Sequence, residues 1–203
     1  LGTIFMSQSL FSHILRKVYI LLHTLVKNRI TNTIFQNEDD KDLYLKHNLI
    51  SNSNYSLILS SGIELKQITQ KAKRNNNPFT FICVARLVYE KGIINLLEAA
   101  RICRDKGHDF KYLLVGPLEE NSKKLNKDIL LQYSDIVDVL GSRNDVLNLL
   151  ESSDAFVLPT FREGFSRVLL EAAAVGLPII STNVTGVRDF TRHGKEALLV
   201  EPK

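Results

Sequence analysis

The feature that most restricts the fold is an alternation between residues 79 and 200, in which short apolar runs end in turns and give way to helical patterns. Phe79-Thr-Phe-Ile-Cys-Val-Ala85, Lys111-Tyr-Leu-Leu-Val115, Val137-Asp-Val-Leu140, Ala155-Phe-Val-Leu158, Pro178-Ile-Ile-Ser181 and Ala197-Leu-Leu-Val200 have the length and composition of buried strands. Ile93, Leu96, Leu97, Ala100 and Cys103 recur at helical spacing up to Gly107. Further helices are predicted over Glu119 to Tyr133, Val146 to Glu151, the run behind Ser166 that Gly176 ends, and a short one over Val187 to Phe190. Strands alternating with helices imply a parallel sheet, here a Rossmann-like doubly wound α/β fold.

Before residue 60 the same grammar appears in a shorter form. From Ser9 to Asn28, the residues Leu10, Ile14, Leu15, Val18, Leu21, Leu22 and Leu25 recur at helical spacing, with Arg16, Lys17, Lys27 and Arg29 around them. This is a basic amphipathic helix, suited either to packing inside a domain or to an anionic membrane surface. Thr33-Ile-Phe-Gln36 and Tyr55 to Leu59 read as strands around an acidic-capped helix from Glu38 to His47. Polar residues 66–77 read as a linker, and the opening Leu1-Gly-Thr-Ile-Phe-Met6 reads as a start in mid-fold, that is, a fragment.

Composition removes several classes. With 203 residues, 44% hydrophobic and 24% charged, the chain is globular. A net charge of +4 suits an anionic ligand or membrane surface and does not point to nucleic acid. Cys83 and Cys103 form no disulfide framework and read as buried thiols of a reducing compartment. The five histidines are scattered without zinc spacing, so no metal site is expected. Val18 to Val26 is too short to cross a bilayer, and no signal peptide is evident.

Chemistry-bearing residues gather just past the carboxyl ends of the predicted strands, where open α/β sheets take ligands. Arg86 and Lys91 follow the first strand of the second region; a planar fork and a point charge there can clamp a diphosphate. Arg143 follows the Val137–Leu140 run, with Asn144 or Asp145 available as N-cap. Glu163 stands on the loop after Leu158, Gly164 lets a backbone approach a ligand, Ser166 can cap the next helix, and Glu171 lies within it. A helix N-terminus favours phosphate, while two carboxylates suit sugar hydroxyls; together they suggest a nucleotide-sugar. The structural alternative stands beside this: dipole complement for Glu163, solvation for Glu171, a plain turn for Gly164, and surface charge for Arg86 and Lys91.

With these residues in view, the chain resembles the retaining glycosyltransferases of family 4, whose two-domain fold is called GT-B. Glu163 and Glu171, separated by seven residues, resemble that family's E-x7-E motif, and Arg86-Leu-Val-Tyr-Glu-Lys91 its R-x4-K clamp. Thr182-Asn-Val-Thr-Gly186 and Ala197-Leu-Leu-Val-Glu-Pro202 resemble two further family segments, whereas Gly116-Pro117 departs from the glycine-rich turn common there. The stretch around Arg162-Glu-Gly-Phe-Ser-Arg-Val-Leu-Leu-Glu-Ala172 is most similar to members extending undecaprenyl-diphosphate-linked sugars.

The resemblance implies that residues 1–60 are the truncated tail of an acceptor-binding domain, 61–77 a linker and 78–203 the nucleotide-sugar donor domain. It implies transfer of a hexose or N-acetylhexosamine from a nucleotide-diphosphate sugar, expected to be a UDP-sugar, to a lipid-linked or saccharide acceptor with retention. Arg86 and Lys91 would hold the diphosphate, Glu163 the sugar and Glu171 the ribose. Arg143 would border the base, and the backbone of Gly164, Phe165, Ser166 and Arg167 would line phosphate and sugar. No metal or other cofactor is implied. The implied location is cytoplasmic or peripheral on the inner face of the cell membrane, and the chain alone is expected to turn over little or nothing. A GT-B sugar-nucleotide epimerase and a nucleotide-sugar binding module without activity are the alternatives.

Overall fold

The structure is a computed structural model describing residues 5, 9–51, 54–59, 62–65, 68, 77–119 and 124–202. The chain divides into two compact units, Leu1–Ser61 and Gly62–Lys203. Most of the polar stretch read as a linker, most of the opening hexapeptide and Lys123 lie outside the described residues.

In the first unit, helix α1 (Leu10–Val26) starts at Ser9, whose side chain accepts from the Ser12 amide. A short 3₁₀ turn (Lys27–Arg29) leads to β1 (Thr33–Phe35). Helix α2 (Glu38–Lys46) follows, capped by Asn37 and carrying Glu38, Asp39 and Asp40 in its first turn, where the helix dipole favours anions. β2 (Tyr55–Leu57) pairs parallel with β1.

The amphipathic pattern of α1 is present, but its polar aromatic side faces α2. The Tyr19 and Tyr44 hydroxyls are hydrogen-bonded, and the rings of His23 and Tyr44 meet at 5.2 Å. Leu10, Ile14, Val18, Leu21, Leu22 and Leu25 are exposed. Among the described residues no helix is long and apolar enough to cross a membrane.

The second unit is a six-stranded parallel sheet in the order β5-β4-β3-β6-β7-β8. Its strands are β3 (Phe79–Val84), β4 (Phe110–Val115), β5 (Val137–Gly141), β6 (Ala155–Leu158), β7 (Ile179–Thr182) and β8 (Ala197–Val200). Helix α3 (Ile93–Asp105) buries Ile93, Leu96, Leu97 and Ala100, the stripe its sequence spacing predicts. Helices α5 (Val146–Ser152) and α6 (Arg167–Val175) bury Leu150, and Leu169, Ala172 and Val175, respectively. Ile82, Leu97, Leu114, Phe156 and Leu169 are sealed from solvent, each contributing roughly 1.5–3 kcal/mol of burial.

Two predicted helices differ. Within the charged run 119–133, helix is confined among the described residues to α4 (Lys127–Leu131). Asn126 caps its start, and the Leu130 and Leu131 carbonyls bond the turn amides of Tyr133 and Ser134 at its end. Residues 187–190 form hydrogen-bonded turns, with both Val187 and Arg188 donating to the Val184 carbonyl.

Topology decides where a site can form. β3 leads outward to β4 and β5, and β6 leads the other way to β7 and β8, so the loops leaving β3 and β6 diverge. β3 pairs with β4 from Phe79 to Val84, but with β6 only at Phe81–Ala155 and Ile82–Phe156. The buried Asp154 closes the opposite edge: its carboxylate accepts from the Thr80 amide at 2.8 Å.

Both cysteines are free, and burial pushes the Cys83 thiol up to about 12. At pH 8 a thiol reagent should therefore label half-buried Cys103 in the native chain and Cys83 only on unfolding, a difference mass spectrometry of labelled peptides resolves.

Candidate functional site

Two loops meet beyond the switch between β3 and β6. After β3 the chain passes Arg86 and makes a 3₁₀ turn (Tyr89–Lys91) that ends at Gly92, φ 67°, at the start of α3. After β6 it runs through Pro159 to Ser166 before entering α6. The Phe161 amide donates to the Glu90 carbonyl at 2.9 Å, and the Tyr89 and Phe161 rings stack at 5.5 Å. A Cβ on Gly92 would lie 1.9 Å from the Pro159 carbonyl oxygen, so the approach depends on glycine twice over.

Lys91 and Glu163 come together here. Lys91 Nζ lies 2.5 Å from Glu163 Oε2, with the side chains only 16% and 13% exposed. A charge so enclosed is tolerable because its partner is enclosed with it. An ammonium has three donors and a carboxylate several acceptor positions, so the pair keeps hydrogen-bonding capacity on both members. Arg86 is exposed, and its guanidinium has no partner among the described residues.

The rest of the loop is held from the β7 side. The Thr182 hydroxyl donates to the Thr160 carbonyl, and the Ser181 hydroxyl donates to the Leu158 carbonyl at 2.6 Å. A Cβ on Gly186 would fall 2.6 Å from the Glu163 and Gly164 carbonyl oxygens, and the Phe165 and Phe190 rings meet at 5.7 Å. Gly164 itself is exposed, adopts no left-handed φ, and has open space where a Cβ would stand. Neither backbone strain nor packing requires glycine there.

The other predicted residues lie along the same edge. Ser166 occupies the N-cap of α6, but its side chain makes no capping bond. Glu171 accepts from Arg167 Nε at 3.1 Å across one helical turn; Arg167 is mostly exposed and Glu171 is not. Arg143, after β5, forks onto both Asp145 oxygens at 2.8 and 2.7 Å. Asp145 therefore holds the N-cap position of α5 with its carboxylate engaged by Arg143 rather than by the helix.

A cleft of about 470 Å³ opens near the ends of β4 and β5, lined in part by Leu87, Gly116, Leu118, Leu130 and Gly141. Another, of about 440 Å³, lies by β7 and β8, among Asn183, Arg188 and His193. Among the described residues, no group of three or more His, Cys, Asp or Glu is placed to hold a metal ion.

Sequence reasoning gave no role to the side chains of Thr160, Thr182 and Lys124. The two threonines are buried polar residues, and only tertiary packing reveals that. Lys124, within the run predicted as helix from Glu119 to Tyr133, places Nζ 3.9 Å above the Tyr89 ring.

Residues 65–203 match the family model described as "Glycosyl transferases group 1". The capsular polysaccharide biosynthesis glycosyltransferase CapM of Staphylococcus aureus is 36% identical over 127 residues, 62% of this chain and 33% of the relative. The N,N'-diacetylbacillosaminyl-diphospho-undecaprenol alpha-1,3-N-acetylgalactosaminyltransferase of Campylobacter jejuni is 29% identical over 220 residues, all of this chain and 56% of the relative. The crystal structure of HepE from Anabaena in complex with UDP and glucose superposes with a TM-score of 0.75 at 20% identity, covering 90% of this chain and 52% of HepE. The fold is therefore that of the HepE region it overlies, and the chain spans from a third to little more than half of these relatives' length.

Proposed function

Because the chain belongs to the glycosyl transferases group 1 family, we propose that it carries the donor site of an enzyme moving a hexose or N-acetylhexosamine. The donor is a nucleotide-diphosphate sugar, in first place a UDP-sugar, and the acceptor a lipid-linked or saccharide hydroxyl, with retention at the anomeric carbon. The process served is surface polysaccharide or glycan biosynthesis. The observation that carries this reading is the enclosed Lys91–Glu163 pair at the topological switch point, with the Arg86 guanidinium, unpartnered among the described residues, on the same loop.

In this reading the donors left on Lys91 and the fork of Arg86 hold the diphosphate. They stabilise the negative charge that grows on the leaving nucleotide, so positive charge comes from side chains rather than from a metal ion. The free acceptor positions of Glu163 take a sugar hydroxyl, and Glu171 takes the ribose. The open space over Gly164 and the lack of a side-chain capping bond from Ser166 favour contact of phosphate and sugar with the backbone from Gly164 to Arg167. The base lies toward the cleft near β4 and β5, and Arg143, two residues beyond Gly141 in its lining, borders it.

The first unit is read as the tail of the acceptor-binding domain. The exposed apolar stripe of α1 beside Arg16, Lys17, Lys27 and Arg29 suits the anionic membrane surface that would carry a lipid-linked acceptor. The diphospho-undecaprenol in the Campylobacter relative's name and the UDP bound to HepE support the acceptor and donor classes.

Calorimetry of the chain against UDP, GDP, ADP and their sugar conjugates tests the proposal. A uridine or guanosine diphosphate should bind, and Lys91→Ala and Glu171→Ala should each raise its Kd by about tenfold or more, the scale of one charge-assisted hydrogen bond. A folded chain that binds none of them contradicts the donor reading.

A further inference from the structure

We infer that Thr160 is the positioning residue that sets the Lys91 turn and the Glu163 loop at their working separation. Its side chain is wholly buried. Thr160 Oγ1 lies 2.8 Å from the Arg162 carbonyl and 3.3 Å from the Glu90 carbonyl. Those carbonyls belong to the residues immediately before Glu163 and Lys91. One hydroxyl therefore touches both segments, one peptide away from each charged side chain. The Arg162 amide also approaches Oγ1, at 3.4 Å.

The surroundings make this hydroxyl a fixed point. β-Branching restricts the side-chain torsion, and buried Thr182 donates to the Thr160 carbonyl from β7. The Phe161 amide shares the Glu90 carbonyl, so the 3₁₀ turn is gripped by two consecutive residues. A buried hydroxyl is costly unless its bonds are made, and these bonds all run to the segments carrying the ion pair.

The consequence rests on the donor reading given above. A nucleoside diphosphate carries no donor-sugar hydroxyl for Glu163, whereas a nucleotide-sugar must meet Lys91 and Glu163 together. Loosening their separation therefore weakens the second ligand more than the first.

The test compares wild type, Thr160→Val and Thr160→Ser. Calorimetry with UDP and UDP-glucose should show the valine variant losing about tenfold in UDP-glucose affinity and under about threefold in UDP affinity, with serine restoring most of the difference. Hydrogen exchange gives a readout that needs no ligand. The Phe161 amide should exchange about tenfold faster in the valine variant, while strands β4 and β7 keep their protection.

Equal losses for UDP and UDP-glucose, or exchange that rises across the whole sheet, would overturn the inference in favour of simple core packing. If wild type binds neither nucleotide, the donor reading falls and exchange alone decides: selective loss of protection at Phe161 upholds the positioning role, and unchanged protection refutes it.

Discussion

Replacing Gly92 by alanine should destabilise the second unit by about 3 kcal/mol or more and remove nucleotide binding. Two independent effects add. Gly92 sits at φ 67°, where an L-residue is strained, and its Cβ would stand 1.9 Å from the Pro159 carbonyl oxygen. That oxygen is backbone between β6 and the Glu163 loop, so no side-chain rotation relieves the clash. The turn carrying Lys91 must move away from the loop carrying Glu163. Urea unfolding of Gly92→Ala beside Gly107→Ala, whose glycine also has positive φ but nothing near its Cβ, separates clash from conformational strain. Equal losses in the two variants would mean that the close approach at Gly92 carries no weight.

Lys91→Ala should weaken binding and stability together. It removes a phosphate donor and leaves Glu163, with 13% of its side chain exposed, without its cation. Breaking an ion pair in full burial costs about 3–5 kcal/mol; with this residual exposure about 2 kcal/mol is expected. Adding Glu163→Gln should recover much of that stability, since an amide needs no counter-charge, yet binding should remain lost. Stability thus recovers across the double-mutant cycle while binding does not, which a merely structural ion pair would not produce. Denaturant midpoints and calorimetry on the four proteins read both.

Much of the second unit was legible because each strand is a short, mostly apolar run bounded by turn residues, a pattern with few alternatives. Phe79 to Val84 and Ala155 to Leu158 fall where periodicity and composition put them. The 119–133 run shows the limit: charge and helix propensity extend a helix that Asn126 and the turn after Leu131 confine. In α1 the periodicity was readable, but the face turned toward α2 depends on Tyr44 and is not written in the helix itself.

The site divides along the same line. Arg86, Lys91, Glu163 and Glu171 stand out singly as charged residues beyond strand ends. That Lys91 meets Glu163, seventy-two positions away, follows from β3 and β6 lying side by side, a fact of topology that no local spacing encodes. Thr160 looks like a loop residue in sequence; its burial is created by Thr182 on β7 and by the Glu90 carbonyl. Gly164 shows the converse. Its sequence setting suggests a turn or a tight contact, and the structure shows neither a left-handed φ nor an atom near its Cβ position.

The proposal at the centre of this account is that the Lys91 turn and the Glu163 loop take a nucleoside diphosphate. Titrating UDP into isotopically labelled chain and mapping the amide resonances that move tests this most directly. The account predicts shifts concentrated at residues 86–92 and 163–167, absent in Lys91→Ala. Shifts centred instead on Asn183, Arg188 and His193 beside β8, or none in the folded chain, would contradict it.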